Sequence, residues 1–261
     1  MSKRSEPTGL GAPTDGASSP TLFVVATPIG NLEDCTYRAV RVLGQVQALA
    51  CEDTRRTRIL LQRHNIRAPG TILSYHEHNE ESAGRRIVEL LERGQSVALC
   101  SNAGYPAISD PGYRIVSAAV ARGFRVEVIP GAGAVEVALV ASGLPSSSFT
   151  FLGFAPRKPG RRRAALERER ESPHTLVLFE APTRLPALLD AALEALSNRE
   201  AAVCVELTKM FEEVARGPLA ELAAQFRGKQ VRGEVTVVIA GANPKFAHPS
   251  PPPTGPGGPQ P

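Results

Sequence analysis

The chain has 261 residues, 42% hydrophobic and 21% charged, with a formal net charge of +4. That is the composition of a protein able to bury a core, and it excludes a chain that is disordered throughout. No run of about 18 apolar residues is present to span a bilayer, and the first 20 residues lack a signal-peptide core. The expectation is a soluble, cytoplasmic protein of two domains.

Residues 1–20 are rich in Gly, Pro, Ser and Thr, and residues 243–261 carry Pro-Pro-Pro and Gly-Gly; both are expected to be disordered tails. Between 21 and 146, short apolar runs alternate with amphipathic stretches. LFVVA at 22 is followed by YRAVRVL, VQALAC at 46 by TRRTRILLQR, and TILSY at 71 by AGRRIVELLERG. SVALC at 96 then precedes GYRIVSAAVARG, and RVEVI at 125 precedes AVEVALVASG. Strands alternating with crossover helices predict a parallel, doubly wound α/β domain. The rhythm restarts near 147, after Gly143-Leu144-Pro145, with FTFLGF, a basic helix from Arg161, TLVLFE, a helix from Leu185, AAVCVEL and EVTVVIAG. With fewer helices per strand and a strand at its end, 147–242 is expected to be a smaller α/β domain with a mixed sheet.

The four cysteines, at 35, 51, 100 and 204, form no C-x-x-C pair, and three of them belong to apolar runs. They read as buried thiols, so neither a metal site nor disulfides are expected. Two basic clusters are candidates to meet phosphates: Arg55, Arg56 and Arg58, and Arg157, Lys158, Arg161, Arg162 and Arg163. A charge run is also what a solvated face looks like.

Ligands of open α/β sheets bind beyond the carboxyl ends of the strands, so the loops there carry the chemistry. The first, after LFVVA, places Pro28 and Gly30 where the backbone can turn tightly. The second follows SVALC and presents Asn102 and Gly104 just past the strand. Its end, Asp110-Pro111-Gly112, reads as a plain helix start with Asp110 as N-cap and Pro111 at the first helical position. The third, Pro130 to Ala134, has two glycines, but a dinucleotide fingerprint needs glycine where Glu136 stands and belongs to a first strand. A nicotinamide or flavin site is therefore not expected.

Taken in order, TPIGN, EDTRRT, H-x-HNE, SNAGYPAISDPG, PGAGA, GFAPRK, FEAPTR, ELTKMFEE and the GE before the last strand resemble the tetrapyrrole methylase superfamily. Within it they are most similar to the ribosomal RNA small-subunit methyltransferase I branch, over about residues 21–240. The resemblance implies two α/β domains with S-adenosylmethionine between them, and a homodimer. It also implies 2′-O-methylation of a cytidine of 16S ribosomal RNA, as free RNA or in the small subunit. Carried across, it implies that Pro28, Gly30, Ser101, Asn102, Ala103, Gly104, Gly133, Ala134, Phe154 and Ala155 line the donor. With RNA as the implied substrate, the basic cluster Arg157, Lys158, Arg161, Arg162 and Arg163, read from its charge, is the candidate RNA-binding surface.

Two positions depart from the family pattern: Asn102 replaces an acidic residue and Tyr105 a threonine. A missing charge-assisted hydrogen bond at Asn102 is expected to cost about 1.5 to 3 kcal/mol of donor binding. Many relatives also continue into a helical C-terminal domain, whose RNA contacts are not expected from the Pro-rich tail here. For proton removal, His78 and Glu80 in YHEHNE are the candidates; the alternatives are that Asn79 or Ser82 caps the next helix, or that H-x-H with Glu holds a metal. Glu52 and Asp53 read as first-turn acids, Arg55 as a clamp on phosphate, and Lys209 as a point charge on phosphate or hydroxyl. Two other functions remain open at this point. A methylase of small tetrapyrroles is expected to show a G-x-G-x-G-D first loop, and an inactive RNA-binding relative is expected to bind no donor.

Overall fold

A computed structural model describes residues 19–247. The first sheet contains β1 (Thr21–Val25), β2 (Ala48–Cys51), β3 (Thr71–Ser74), β4 (Val97–Cys100) and β5 (Arg125–Ile129). They pair in the order β3-β2-β4-β1-β5, every pair parallel. β2 and β4 are buried at every position, because helices cover both faces. On one face α1 (Tyr37–Gln45) and α2 (Thr54–Arg63) bury Val42, Leu43, Leu60 and Leu61 against Leu49, Ala98 and Ile129. On the other, α3 (Glu80–Glu92) and α4 (Tyr113–Ala121) bury Ile87, Leu91 and Ile115 against Leu22, Ala50 and Leu99. β1 lies between β4 and β5, so the three loops that follow these strands open side by side.

The fifth helix departs from the doubly wound expectation. α5 (Ala134–Ser142) follows β5 but packs Val135, Ala138 and Leu139 on Val177, Ala202, Cys204 and Val238 of the second sheet. It ends at Gly143, whose φ of +73° makes the left-handed turn that glycine adopts freely. The first layer of the second half is thus built from a helix of the first.

The second sheet is mixed. It contains β6 (Phe149–Phe154), β7 (Thr175–Glu180), β8 (Glu200–Val205), β9 (Glu213–Pro218) and β10 (Val235–Ile239), in the order β6-β7-β10-β8-β9. Only β6 and β7 pair in parallel; the other pairs are antiparallel. Its outer face is covered by α6 (Pro159–Glu167), α7 (Leu185–Leu196) and α8 (Leu219–Phe226), with Leu188, Leu222 and Phe226 fully buried. β9 and α8 are not anticipated by the pattern of apolar runs. EVARGP has no apolar alternation and ends in Gly-Pro, yet as an edge strand it needs only one ladder, and Pro218 sits where no further ladder bond is required.

Of the expected tails, residues 1–18 and 248–261 lie outside the described residues. At the C-terminal boundary the chain keeps its structure further than expected: Pro244–Phe246 form a 3-10 turn and Ala247 bridges Arg199. Among the described residues, no helix is long and apolar enough to cross a membrane.

Candidate functional site

Hydrogen bonds tie the three loops together. Thr27 and Gly104 exchange backbone bonds of 2.9 Å in both directions, which seats the loop after β1 on the loop after β4. The Ser101 hydroxyl donates to the carbonyls of Ala103 and Gly104, at 3.2 and 3.1 Å, and closes the second loop on itself. The Tyr105 hydroxyl accepts from Gly131 N at 3.1 Å and so links the second loop to the third. The tyrosine at this position is therefore a strut between loops, a reason for its size that the sequence alone does not show.

Between these loops and the second sheet lies a cavity of about 550 Å³. Asn102, Ala103, Gly104, Gly133 and Ala134 line it from the first half, and Phe151, Phe154, Phe179 and Glu180 from the second. The aromatic rings pack edge to face, Phe151 and Phe154 each against Phe179 at 4.8 and 5.6 Å. Two acceptor atoms on opposite walls, Asn102 Oδ1 and Glu180 Oε2, are buried with no hydrogen-bond partner in the protein. The Glu180 side chain is fully buried; its other oxygen accepts from Ala181 N at 2.8 Å and pairs with Arg184. Unpartnered buried acceptors cost about 1 to 3 kcal/mol each, a cost that a ligand carrying N–H donors removes.

Two smaller cavities adjoin. One, of about 220 Å³, is lined by Pro28, Gly30, Ser101, Asn102, Ala103 and Lys209 among others. The other, of about 400 Å³, is polar, with Glu52, Asp53, Arg55, Ser74, His76 and Asn102 in its walls. Asn102 lines all three.

Several expected site residues have other positions or other work. Ala155 is buried in the core of the second half, beneath the cavity wall. Gly30 faces the second half: a Cβ there would meet Lys209 Cγ, and Thr208 Oγ1 at 2.7 Å. The loop around Thr208 also accepts from Asn31 N at 3.1 Å, so glycine at 30 lets the two halves close on each other. Gly30→Ala is accordingly expected to lower stability by the roughly 1 to 3 kcal/mol of an overpacked contact. For a chain of this size that is about 2 to 4 °C of melting temperature per kcal/mol. An unchanged calorimetric melting temperature would remove this role.

His78 is exposed and lines none of the cavities; His76, not His78, borders the polar one. Glu80 is occupied by the fold. Its Oε1 accepts from Tyr75 Oη at 3.1 Å and from Gly112 N at 3.0 Å, and Oε2 lies 3.6 Å from Arg114. Asn79 stands at the N-cap of α3, but its side chain turns back to accept from His76 N and donate to Ser74 O. Among the described residues, no three His, Cys, Asp or Glu are grouped to hold a metal. Asp53 caps α2, accepting from Arg55 N at 2.8 Å, and that bond holds its carboxyl below the usual range.

Arg55 is 90% exposed at the rim of the polar cavity, its Nε 3.6 Å from Asp53 Oδ1. Lys209 Nζ is 2.8 Å from Glu206 and 3.1 Å from Glu234. Burial works against its charge, but the two carboxylates outweigh burial and hold its pKa above the ordinary value. Lys209 is a fixed cation and no base. Of the basic cluster near α6, Arg157, Lys158, Arg161 and Arg163 are exposed, whereas Arg162 is only 7% exposed, with Nε lacking a partner. Arg162 is therefore no part of a surface that meets RNA.

Asp110 and Glu180 both line the central cavity, although neither stands out in the sequence as a site residue. Gly112, at φ +149°, is the N-cap of α4, so the helix begins at Tyr113 and Asp110 is released from capping. Burial first, then the charge of Glu52, push the Asp110 carboxyl up to about 6.

The sequence matches the family of Tetrapyrrole (Corrin/Porphyrin) Methylases over residues 21–223. It is 48% identical over 221 residues to the Ribosomal RNA small subunit methyltransferase I of Halalkalibacterium halodurans, covering 85% of this chain and 76% of that protein. It is 42% identical over 220 residues to the protein of the same name from Thermotoga maritima, covering 84% and 98%. The crystal structure of diphthine synthase superposes with a TM-score of 0.66 at 16% identity, over 85% of this chain and 90% of that one, which is a likeness of fold. With the parallel sheet, the mixed sheet and the cavity between them, these matches settle the assignment: the chain belongs to the ribosomal RNA small subunit methyltransferase I family of the tetrapyrrole methylases.

Proposed function

We propose that the protein transfers a methyl group from S-adenosylmethionine to the ribose 2′-oxygen of a cytidine in the 16S RNA of the small ribosomal subunit. The single observation that carries donor binding is the central cavity with its two unpartnered acceptors. Its volume is in the range of cofactor sites, roughly 300 to 1,000 Å³. Asn102 Oδ1 and Glu180 Oε2 fit the donor's amino groups, and the phenylalanines fit its adenine ring. The N-terminus of α5, where Gly133 provides no side-chain cap, leaves backbone N–H groups for a carboxylate. When bound, S-adenosylmethionine supplies an electrophilic methyl group on sulfur. The work of this chain is to hold that carbon in line with the acceptor oxygen, exclude water and receive a proton.

RNA as acceptor is supported by the names of the relatives and by the exposed cations at Arg55, Arg157, Lys158 and Arg161. Assembly as a homodimer belongs to the same reading, and light scattering at twice the chain mass is its check. The function is tested by incubating the protein and radiolabelled donor with 16S RNA, and with small subunits, from cells lacking the modification. Ribose methylation at one cytidine is expected; label on a base, or transfer only to a small tetrapyrrole, overturns the reading.

A further inference from the structure

The segment between β4 and α4 carries a carboxylate that caps no helix and whose fold partner is the Ser101 hydroxyl. Ala107 and Ser109 adopt left-handed φ values of +70° and +60°. Non-glycine residues persist there at a cost of about 1 to 3 kcal/mol each, and such outliers gather at functional sites. The strain has a visible consequence: Ser109 Oγ reaches to 3.6 Å from the position of a Cβ on Gly153 of β6, so the segment crosses to the second half. Asp110 follows directly and lines the central cavity.

The other charged groups in that cavity wall are Glu52 after β2, Arg56 on α2, Glu136 on α5, Glu180 on β7 and Glu234 before β10. Glu180 is engaged by Arg184 and Glu234 by Lys209. His76 borders the adjoining polar cavity rather than the central one, and Glu80 is tied to Gly112. Of the wall carboxylates that these cations do not engage, Glu52, Asp110 and Glu136, Asp110 is the one on the strained segment, where burial first and Glu52 second disfavour its charge more than a hydrogen bond from Ser101 favours it.

We propose that Asp110 is the catalytic base that receives the proton of the acceptor 2′-hydroxyl, an inference that rests on the methyl-transfer reading above. As the bond from oxygen to the methyl carbon forms, the bond from that carbon to sulfur breaks, and sulfur keeps the electron pair as a neutral thioether. The hydroxyl proton passes to the Asp110 carboxylate, which later releases it to solvent. A carboxyl that titrates near 6 is ionised at neutral pH yet holds a proton better than an ordinary aspartate, which suits this task. Donor binding brings positive charge into the cavity, which favours the carboxylate and moves its titration below 6 in the complex.

The test uses Asp110→Asn and Asp110→Glu in the full chain, with donor affinity by calorimetry, methyl transfer to RNA and melting curves. For Asp110→Asn, donor affinity within about tenfold of the parent and a kcat lower by about 10² to 10⁴ are expected. The acid limb of kcat/KM for the donor, near pH 6, disappears in Asp110→Asn and persists in Asp110→Glu. Melting supplies a readout independent of activity. Because folding raises this pKa from 3.8 to about 6, the stabilisation it carries is full below 3.8 and lost as pH rises through 6. The amide loses nothing over that window, so Asp110→Asn should melt higher than the parent at pH 8 and equally at pH 4. An Asp110→Asn protein that transfers at the parental rate, or melts lower at pH 8, overturns the proposal. A parent that methylates no ribose overturns the functional reading itself, and the base with it.

Discussion

Gly133→Val is expected to lower affinity for S-adenosylmethionine at least 100-fold while the melting temperature stays within a few degrees of the parent. Gly133 sits at φ −139°, ψ 129°, an extended conformation that valine adopts without strain, and precedes the first residue of α5. The fold therefore does not require glycine there. What a side chain would disturb is the cavity: a Cβ at 133 runs into the Glu136 carboxylate, with Cδ at 3.0 Å. Glu136 is the far end of a flexible side chain and also lines the cavity, so it swings away into space the donor needs, and the valine methyls add to the obstruction. The same substitution covers the open N-terminus of α5, the place for the donor's carboxylate. Calorimetry of a variant shown to be folded by circular dichroism decides it. Equal affinity in variant and parent removes the loop after β5 from the donor site.

The parallel sheet is legible in the sequence because its central strands are buried on both faces, and such strands read as unbroken apolar runs. Edge elements are less legible. β9 bonds on one side only and tolerates Arg216, Gly217 and Pro218, so the apolar alternation that marks a strand is missing. The helical pattern of α5 gives its existence and length but not its partner, because periodicity states that a face is buried without stating against what. The same limit applies within the site. Asp-Pro-Gly satisfies the local rule for a helix start, yet the backbone takes its cap at Gly112 because Glu80, 32 residues away, accepts that amide. That long-range bond also takes Glu80 out of contention as a base. Glu180 and Arg184 stand four apart in FEAPTR like an ordinary surface pair, and only the tertiary fold shows one oxygen left over in a cavity.

Replacing Arg157, Lys158 and Arg161 together with glutamine is expected to weaken RNA binding and flatten its salt dependence, leaving donor affinity and fold unchanged. All three are exposed around the start of α6, where glutamine is as well solvated as the cation it replaces. Each phosphate that is no longer neutralised lowers the slope of log affinity against log salt by roughly 0.7 to 0.9, so three of them lower it by roughly 2 to 3. Over a fourfold rise in salt, that makes the salt-driven fall in affinity smaller by roughly 20- to 40-fold. Arg163 is left in place because it holds Glu167 at 2.8 Å, and Arg162 because its side chain is packed inside. Arg162→Gln separates the two kinds of arginine: it should lower the melting temperature and leave the salt slope alone. Arg55→Gln should do what neither does and slow transfer at saturating RNA, since a phosphate released at the rim of the polar cavity lets the acceptor ribose drift from the methyl group. A triple variant that binds RNA with the parental slope makes the α6 cluster ordinary surface and moves the RNA path to the rim where Arg55 stands.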